Sequence, residues 1–433
     1  MIPSDGSLDS TLALLREGYR FIPNRCERLG SDMFRTRLML RPAICIRGEE
    51  AARIFYTPGR FTRRGALPPT TLRLLQDKGS AATLDNRPHR HRKSLFMGLM
   101  TPEAVERAAD LMEEEWRARL PAWEQAEEVT LFPQAEDILT RTACRWAGVP
   151  LDEREADQRR RELGAMIHGA GSAGPRAMRG LVMRRRTERW ARELIRGVRD
   201  GTVAVPHDTP LHRVATWREL SGEPMDEAVA AVELLNLLRP MVAVDRYIVF
   251  TALALHEHPV ARPAPDADEG EVERFVQEVR RLAPFFPAVG GRVLEPFEWR
   301  GHRFGRGDWV LLDLYGTNRD SRTWRNAHMF RPSRFKEWDG SPDSLVPQGA
   351  GDHHTGHRCP GEWITIALMK RAVRLLTAAM EYEVPPQDLR VPLNRMPTGP
   401  ASGFRIGRVR RAGQPSVSGS TSPRAGGRRP PGG

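Results

Sequence analysis

The stretch from Leu345 to Lys370 reads LVPQGAGDHHTGHRCPGEWITIALMK. Its single cysteine, Cys359, stands in a glycine-rich loop, directly after His357 and Arg358. An amphipathic run from Glu362 to Met380 follows and is typical of a helix. A thiol that precedes a helix N-terminus and lies beside cations is biased toward the thiolate form. The stretch therefore predicts a thiolate carried on a tight loop and followed by a helix.

Three chemical roles of Cys359 are open on this stretch alone. A thiolate on a glycine-lined loop can be the single cysteine ligand of a haem iron, where it donates electron density that favours O–O cleavage. Zinc is the second possibility, because His353, His354 and His357 stand close by. Structural zinc sites carry a second ligand pair at a defined spacing, and the other three cysteines are scattered. The third possibility is a buried, unreactive thiol.

Composition indicates a large enzyme rather than a secreted or nucleic-acid-binding protein. The chain has 433 residues, of which 40% are hydrophobic, and a net charge of +12. Its four cysteines form no disulfide pattern, and the first ten residues lack the features of a signal peptide, so we predict a cytoplasmic protein. No aromatic residues interleave the run Arg184-Arg185-Arg186, which favours a solvent-facing helix over a nucleic-acid surface.

The hydrophobic pattern predicts a mainly α fold with a minor sheet. We expect one domain over residues 1–411 and a disordered Gly/Pro/Ser/Arg-rich tail over 412–433, because the tail lacks the apolar residues needed to offset its ordering entropy. The predicted helices cover 9–20, 50–56, 102–120, 134–147 and 151–199, the last with a loop at 169–175. The predicted strands lie at 39–48, broken by Pro42, and at 292–312.

The longest apolar run, 228–255, is long enough to cross a membrane but contains several charges. We therefore predict a buried core helix and no membrane span. Arg239 lies in its most apolar part and is followed by Pro240, which breaks the helical hydrogen bonding. Either the helix is kinked and Arg239 pairs with Glu233 or another carboxylate, or Arg239 is a buried cation that awaits an anionic ligand.

Further charged residues group around two expected features. Glu278 and Arg281 stand at i and i+3 of a helical pattern and face each other, either as a surface pair or as a buried cluster with Arg334. The cations of the run from His89 to Lys93, at the start of another predicted helix, could pair with haem propionates. The candidates for that role are His89 and Lys93 from this run, and Arg63 and Tyr315 from other segments.

Taken together, three motifs resemble the cytochrome P450 superfamily of haem-thiolate proteins: GHRCPGE around Cys359, Glu278-x-x-Arg281, and Phe330-x-Pro-x-Arg334-Phe335. The resemblance extends to one branch, the bacterial fatty-acid peroxygenases and decarboxylases that use hydrogen peroxide. It covers nearly the whole chain up to about Arg411. The segments that carry it include NLLRPMVAVDRYIVFTALAL, QEVRRLAPFFPAVGG, LLDLYGTNRD, VPQGAGDHHTGHRCPGE, TLDNRPHRHRKSLFMGLMTPE and RTACRWAGVP.

The resemblance implies a helical prism with a small β lobe that binds haem b. Cys359 is then the axial ligand of the haem iron. Glu278, Arg281 and Arg334 support the haem-binding core. By the same resemblance, the four propionate candidates above face the cofactor.

The resemblance also implies a substrate and an oxidant. Arg239-Pro240 stands where other members carry an acid–alcohol pair that delivers protons. Arg239 is then expected to hold the carboxylate of a long-chain fatty acid, and this carboxylate serves as the general acid and base. Hydrogen peroxide is the oxidant, no redox partner is required, and the products are α- or β-hydroxy acids or a terminal alkene.

Some positions depart from the family pattern. Asp352 stands where many members of the superfamily carry an aromatic residue, which is consistent with the longer loop of this branch. Ala350 replaces the usual middle glycine of a Gly-Gly-Gly run, which costs little unless the position needs a positive φ. Ala82 stands where relatives carry His or Gln near the β carbon of the substrate, and Phe286 stands near a pocket residue that is small in some relatives. Two other functions stay open: a reductase-dependent monooxygenase acting on another carboxylic acid, and a non-catalytic haem- or lipid-binding protein.

Overall fold

The computed structural model describes residues 2–412. The predicted tail, 412–433, therefore lies outside the described residues apart from Ala412. The described part is mainly α-helical with a minor sheet, as the hydrophobic pattern predicts. Its helices are α1 Thr11–Glu17, α2 Phe21–Arg28, α3 Glu49–Phe55, α4 Pro69–Leu75, α5 Asn86–Met97, α6 Pro102–Gln125, α7 Leu131–Ala147, α8 Glu153–Gly169, α9 Pro175–Asp200, α10 Pro210–Ala215, α11 Glu227–Val242, α12 Asp245–Glu257, α13 Glu269–Leu282, α14 Leu314–Thr317 and α15 Glu362–Arg374.

The strands are short and form three small sheets. They are β1 Met33–Leu38, β2 Arg41–Arg47, β3 Phe61–Thr62, β4 Glu128–Thr130, β5 Ala288–Val293, β6 Phe297–Trp299, β7 His302–Phe304, β8 Trp309–Asp313, β9 Met380–Glu383 and β10 Arg405–Arg411. The largest sheet has the order β1-β2-β8-β5-β3, and its pairs are antiparallel except for the parallel pair β2–β8. A second sheet has the order β4-β10-β9, and β6 pairs with β7.

Helix α6 illustrates how the sequence sets a helix boundary. The Thr101 side chain accepts a hydrogen bond from the backbone N–H of Ala104 at 3.2 Å, and Pro102 occupies the first turn, where its missing N–H costs nothing. The helix buries Met112 and Trp116, which are four residues apart on one face. It ends at Gln125, five residues beyond the predicted end at 120.

The apolar run 228–255 forms two helices, α11 and α12, rather than one. Pro240 lies in the last turn of α11, and the helix ends at Val242, as expected when a proline removes a backbone donor. Helices α7, α8 and α9 pack against α11, and most of its side chains are buried. No helix within residues 2–412 is long and apolar enough to cross a membrane.

Two sequence predictions are wrong in detail. Pro42 does not break its strand: it belongs to β2 and pairs only with Arg37 of β1, at the end of β2 that has no second neighbour. The run Arg184-Arg185-Arg186 does not face solvent as a whole, because Arg184 is fully buried on α9 while the next two arginines are exposed. Helical periodicity alone could not identify the acidic residues that accompany Arg184 inside the protein.

Candidate functional site

A cavity of about 450 Å³ lies among α11, α5, α8 and the loop that carries Cys359. Cys359 and Arg239 both line it. Most of its remaining wall is apolar, with Phe96, Leu237 and Ile364 among the lining residues. The cavity thus combines a thiol and a guanidinium with a mainly apolar lining, as expected for a site that binds a long apolar molecule with one polar end.

Cys359 is held in its loop by backbone and side-chain contacts. Its backbone N–H donates to the carbonyl oxygen of Gln348 at 3.0 Å, and Nε2 of Gln348 lies 3.8 Å from its sulfur. Burial raises the pKa of Cys359, and the charge of Lys93 opposes this only partly. The thiolate bias predicted from the neighbouring cations is therefore wrong for the thiol by itself. A metal cation would supply the missing stabilisation, because cysteine ligates metals in its deprotonated form.

The histidines around Cys359 do not form a zinc site. His353 stacks on Trp363 with ring centroids 4.4 Å apart, and His357 stacks on His89 at 3.9 Å. Within residues 2–412, no group of three or more His, Cys, Asp and Glu side chains is arranged to hold a metal ion. The zinc alternative thus has no ligand set in the described part of the chain.

Basic side chains gather beside Cys359. Burial lowers the pKa of Lys93 to about 8 and that of His89 to about 4. Burial, aided by the charge of Arg63, also holds the pKa of His357 well below its usual range. None of these four side chains forms an ion pair with a carboxylate within residues 2–412. Such a cluster fits a ligand that brings its own anions, as the two propionates of haem do.

The propionate candidates lie at different distances from the cavity. His89 and Lys93 line it. Arg63 is not among its described lining residues. Its guanidinium carbon lies 5.0 Å from the ring centroid of Tyr56, and Tyr56 does line the cavity. Tyr315 is also absent from that lining, and Arg319 covers its ring at 3.7 Å. The assignment of Tyr315 to a propionate stays a prediction.

Arg239 is buried and incompletely bonded. Its Nη2 donates to the backbone carbonyl oxygen of Leu75 and to Oδ1 of Asn236, the latter at 3.0 Å. Its Nη1 has no hydrogen-bond partner in the described structure. Burial, reinforced by the positive charge of Arg184, lowers the pKa of Arg239 to about 9. An anion in the cavity would accept a hydrogen bond from Nη1 and would also stabilise the positive charge of the buried guanidinium.

The carboxylate that the sequence offered as a partner for Arg239 is engaged elsewhere. Glu233 accepts a hydrogen bond from Nη1 of Arg92 at 2.8 Å and one from Nδ2 of Asn236 at 3.0 Å. It also accepts the backbone N–H of Ala81 at 2.6 Å. Glu233 is the only carboxylate among the described residues that line the cavity. The cavity therefore holds no protein carboxylate free to move a proton.

Glu278, Arg281 and Arg334 form one buried cluster. Two hydrogen bonds of 2.8 Å join the Glu278 carboxylate to the Arg281 guanidinium. Nε of Arg334, from a short 3-10 segment, donates to Glu278 at 3.1 Å. Glu278 and Arg281 are fully buried, so the alternative of a surface pair is wrong. The backbone carbonyls of Asn318 and Ala327 accept from Arg281, which ties distant loops to α13.

Ala82 and Phe286, the two positions at which the sequence differs from some relatives near the expected substrate, both line the cavity. Phe286 packs edge-on against Phe285, with ring centroids 4.8 Å apart. Ala350 is buried and is absent from the described non-glycine residues with positive φ, whereas Gly349 on one side of it has a φ of 99°. Alanine at position 350 therefore requires no backbone strain.

Sequence reasoning missed several residues of the site. Gln348 lies eleven positions before Cys359 and reaches it only because the loop folds back. Asn236, three residues before Arg239, could have been found from its i, i+3 spacing on a helix. Tyr19 and Met396 line the cavity from opposite ends of the chain, and no local pattern connects them to it.

Several proteins of known structure are similar to this chain over most of its length. A family model, Cytochrome P450, matches residues 272–403. A structure of cytochrome P450SP alpha (CYP152B1) in complex with (R)-ibuprophen is 46% identical, covers 93% of this chain and 99% of that chain, and has a TM-score of 0.91. Cytochrome P450EX alpha (CYP152N1) with myristic acid is 41% identical over 95% of this chain and 99% of that chain, with a TM-score of 0.91. A variant of cytochrome P450 OleT in complex with arachidonic acid is 35% identical, covers the same shares and has a TM-score of 0.92.

Curated relatives are more distant. Cytochrome P450 4A7 from Oryctolagus cuniculus is 25% identical over 133 residues, which are 30% of this chain and 25% of that protein. Beta-amyrin 28-monooxygenase from Kalopanax septemlobus is 21% identical over 90% of this chain and 86% of that protein. The first curated relatives are thus matched over about a quarter of their own length.

Proposed function

Because the chain belongs to the cytochrome P450 family, we propose that it is a haem-thiolate peroxygenase that uses hydrogen peroxide to oxidise long-chain fatty acids. The oxidation takes place at the α or β carbon and yields hydroxy acids, with decarboxylation as a second outcome. The observation that carries the proposal is the buried Arg239, whose Nη1 has no described partner in the cavity that Cys359 also lines.

The residues around Cys359 fit a haem b. Cys359 would ligate the iron, while Lys93, His89 and Arg63 would pair with the propionates, whose negative charge would offset the cost of burying these basic side chains. When bound, haem supplies the metal-centred oxidation, and its thiolate ligand favours cleavage of the O–O bond. The buried cluster of Glu278, Arg281 and Arg334 ties the loops at Asn318 and Ala327 to α13 and would thereby support the haem-binding core.

Arg239 would select the substrate. A guanidinium pairs with a carboxylate through parallel charge-assisted hydrogen bonds, and Nη1 is the donor still available for them. Because the guanidinium is anchored by Leu75 and Asn236, the bound carboxylate has a fixed place in the cavity. The carbons next to that carboxylate are then the ones held close to the oxidising centre, which explains α and β selectivity.

The bound carboxylate would also replace the missing acid–base residue. Heterolytic cleavage of peroxide requires a base that takes a proton from one oxygen and an acid that returns it to the other. Pro240 follows Arg239 where an acid–alcohol pair would otherwise stand, and Glu233 is fully engaged by Arg92, Asn236 and Ala81. The carboxylate of the fatty acid is therefore the group left to carry this proton.

Peroxide brings both oxidising equivalents, so no redox partner is required. This distinguishes the proposal from a reductase-dependent monooxygenase, which would turn over with an electron donor and a reductase but not with peroxide. It also distinguishes the protein from a non-catalytic carrier, which would bind haem and fatty acid without turnover. A cytoplasmic location is part of the same proposal.

The test is peroxide-driven oxidation of myristic acid by the haem-loaded protein and its Arg239→Ala variant. We expect the variant to keep a haem-thiolate spectrum and to lose roughly 30- to 4,000-fold in kcat/KM, the equivalent of the roughly 2–5 kcal/mol lost when one member of a buried charge pair is truncated. Arg196→Ala is the control, since Arg196 pairs with Glu227 at the exposed end of α11. Unchanged turnover in Arg239→Ala would refute the role of Arg239, and failure of the wild type to bind haem would refute the function.

A further inference from the structure

Five exposed hydrophobic side chains belong to two adjoining segments near the start of the chain. Twelve large hydrophobic residues are exposed in the part of the chain that the structure describes, and these five are Leu8, Leu12, Leu15, Met39 and Leu40. Helix α1 carries two of them and has no fully buried residue. A single exposed leucine is ordinary, whereas a group of them marks a surface that contacts a partner. We call these five residues the N-terminal patch.

Hydrogen bonds join the two segments of the patch. The backbone N–H of Met39 donates to Oγ1 of Thr11 at 2.6 Å, and the backbone N–H of Leu40 donates to Oδ2 of Asp9 at 2.6 Å. Met39 and Leu40 form the turn between β1 and β2, so this turn is fixed against the start of α1. The patch is therefore one surface feature and not two unrelated ones.

The turn itself is strained. Met39 has a φ of 52° and Leu40 a φ of 60°, values that are uncommon for residues other than glycine, asparagine and aspartate. Two-residue hairpin turns with two positive φ angles favour Asn-Gly or Gly-Gly for this reason. Both side chains are exposed, so burial within the fold does not offset the strain. Backbone strain of this kind is retained where function uses it.

The charges around the patch are mainly positive. Residues 5–41 contain seven arginines and five acidic residues. Asp5 and Glu17 share Arg25, at 3.4 Å and 2.9 Å. Four arginines of these segments are exposed and form no ion pair with a carboxylate among the described residues: Arg16, Arg20, Arg37 and Arg41. Apolar side chains surrounded by cations are the composition of a surface that binds an anionic lipid bilayer.

Two other occupants fit this composition less well. A second copy of the chain would place the same four arginines opposite one another, which like charges oppose. The segment 413–433 contains one large apolar residue, Val417, together with three arginines and no acidic residue. Its sequence therefore offers neither apolar side chains nor negative charge to the patch.

The patch is continuous in the chain with the cavity described above. Helix α1 is followed by the 3-10 turn Gly18–Arg20, and Tyr19 of this turn lines the cavity. The hydroxyl of Tyr19 donates to the backbone carbonyl of Phe285, another lining residue, at 2.7 Å. A long alkyl chain partitions into a bilayer. A protein bound through the patch would therefore meet a fatty acid where that acid is concentrated.

We propose that the N-terminal patch binds the surface of an anionic lipid bilayer. The side chains of Met39, Leu40 and the exposed leucines of α1 enter the boundary between headgroups and acyl chains, and the surrounding arginines contact the headgroups. The association is peripheral and reversible. Its use in supplying substrate rests on the proposed function, whereas the binding itself does not.

The test is co-sedimentation of the haem-loaded full chain with vesicles made of equal parts of phosphatidylglycerol and phosphatidylcholine. We expect the wild type to bind them, and to bind vesicles of phosphatidylcholine alone roughly tenfold more weakly. Leu12→Ser combined with Leu40→Ser should weaken binding to the mixed vesicles at least about tenfold, because two leucines no longer leave water. Leu220→Ser combined with Val260→Ser is the matched control, since both residues are exposed and lie outside the patch.

The charge of the patch is tested separately. Arg16→Gln combined with Arg41→Gln should weaken binding to the mixed vesicles roughly 10- to 30-fold and should leave binding to pure phosphatidylcholine unchanged within about twofold. A wild type that does not bind the mixed vesicles, or a Leu12 and Leu40 variant that binds them equally well, would overturn the inference. A lipid-free dimer in sedimentation velocity that this variant loses would assign the patch to self-association and overturn it too.

Oxidation of myristic acid separates this inference from the proposed function. In buffer without vesicles, the Leu12 and Leu40 variant should turn over as the wild type does. With the acid supplied in mixed vesicles, its kcat/KM should be roughly tenfold lower. If the wild type binds vesicles but oxidises no myristic acid, the proposed function fails and the patch stands. If it oxidises the acid without binding vesicles, the proposed function stands and the patch fails.

Discussion

Nε2 of Gln348 lies 3.8 Å from the sulfur of Cys359, and the same nitrogen donates to Oγ1 of Thr365 at 3.0 Å. The carbonyl oxygen of this side chain accepts from Nη2 of Arg280, also at 3.0 Å. The amide of Gln348 is thus fixed by two neighbours and presents an N–H to the sulfur. A donor in this position stabilises negative charge on a thiolate.

Replacing Gln348 should therefore change the electronic properties of the bound haem. We expect Gln348→Leu to lower the midpoint potential of the iron by roughly 40 mV, the equivalent of about 1 kcal/mol for a lost hydrogen bond in a one-electron couple. Spectroelectrochemical titration measures this. Thr365→Val is the matched control, because it removes the other acceptor of the same amide and leaves the donor to the sulfur. An unchanged or higher potential in Gln348→Leu would contradict the assignment.

The cluster around Glu278 predicts a loss of stability. In Glu278→Gln, Arg281 and Arg334 lose the carboxylate that they share, and breaking a buried ion pair costs about 3–5 kcal/mol. We expect a markedly lower urea midpoint and a lower haem content. Glu271→Gln, an exposed position on the same helix, should change either quantity little. Similar midpoints for the two variants would show that the cluster does not stabilise the core.

Asp313 predicts a pH dependence of stability. Burial raises its pKa from 3.8 to about 7, so the ionised carboxylate is less favourable in the folded protein than in the unfolded chain. Between pH 4 and 7 the folded state binds more protons, and this group makes the free energy of unfolding fall as the pH rises. Above pH 7 the full cost of burying the ionised carboxylate is present. Asp313→Asn removes this charge. The variant keeps a side-chain oxygen that can accept the hydrogen bond which the backbone N–H of Gly316 donates to Asp313 at 2.8 Å.

We expect Asp313→Asn to be more stable than the wild type by up to about 4 kcal/mol at pH 8, with almost no difference at pH 4. Urea unfolding of both proteins at the two pH values measures the change. A stability difference that does not vary with pH would show that Asp313 titrates normally in the folded protein.

Ala82 predicts a change of product rather than of binding. It lines the cavity and provides no group that could exchange a proton with the substrate. A positioned proton-transfer group changes the rate of its step by about 10²–10⁴, so we expect Ala82→His to shift the product ratio toward β oxidation and alkene by at least about tenfold. Ala82→Leu controls for added volume. Chromatography of the products from myristic acid measures the ratio, and equal ratios in the two variants would leave only a steric effect.

Features of the fold that depend only on residues close together in the chain were predictable from local sequence patterns. The pairing of Glu278 with Arg281 follows from helical spacing, and the Cys359 loop follows from its glycines. Gly349 shows why those glycines are needed: its φ is 99°, and a Cβ there would lie 2.7 Å from the hydroxyl oxygen of Tyr56.

Contacts between distant segments were not predictable in this way. Glu233 pairs with Arg92, 141 residues away in the chain, and this long-range pair is what leaves Arg239 without a carboxylate. The burial of Arg184 depends on Asp77, from another helix end. Charge patterns along the sequence contain no information on which of several carboxylates a buried arginine meets, so these partners required the folded chain.

The buried basic side chains beside Cys359 also bear on how the protein matures. His89 and Lys93 belong to α5, while His357 belongs to the cysteine loop, and burial between these elements disfavours the charged form of all three side chains. A dianionic cofactor would compensate for the burial of positive charge there, so we expect its insertion to be the step that completes the closure of α5. Cells that make this chain faster than they supply haem should then accumulate protein that proteases cut near residues 86–97.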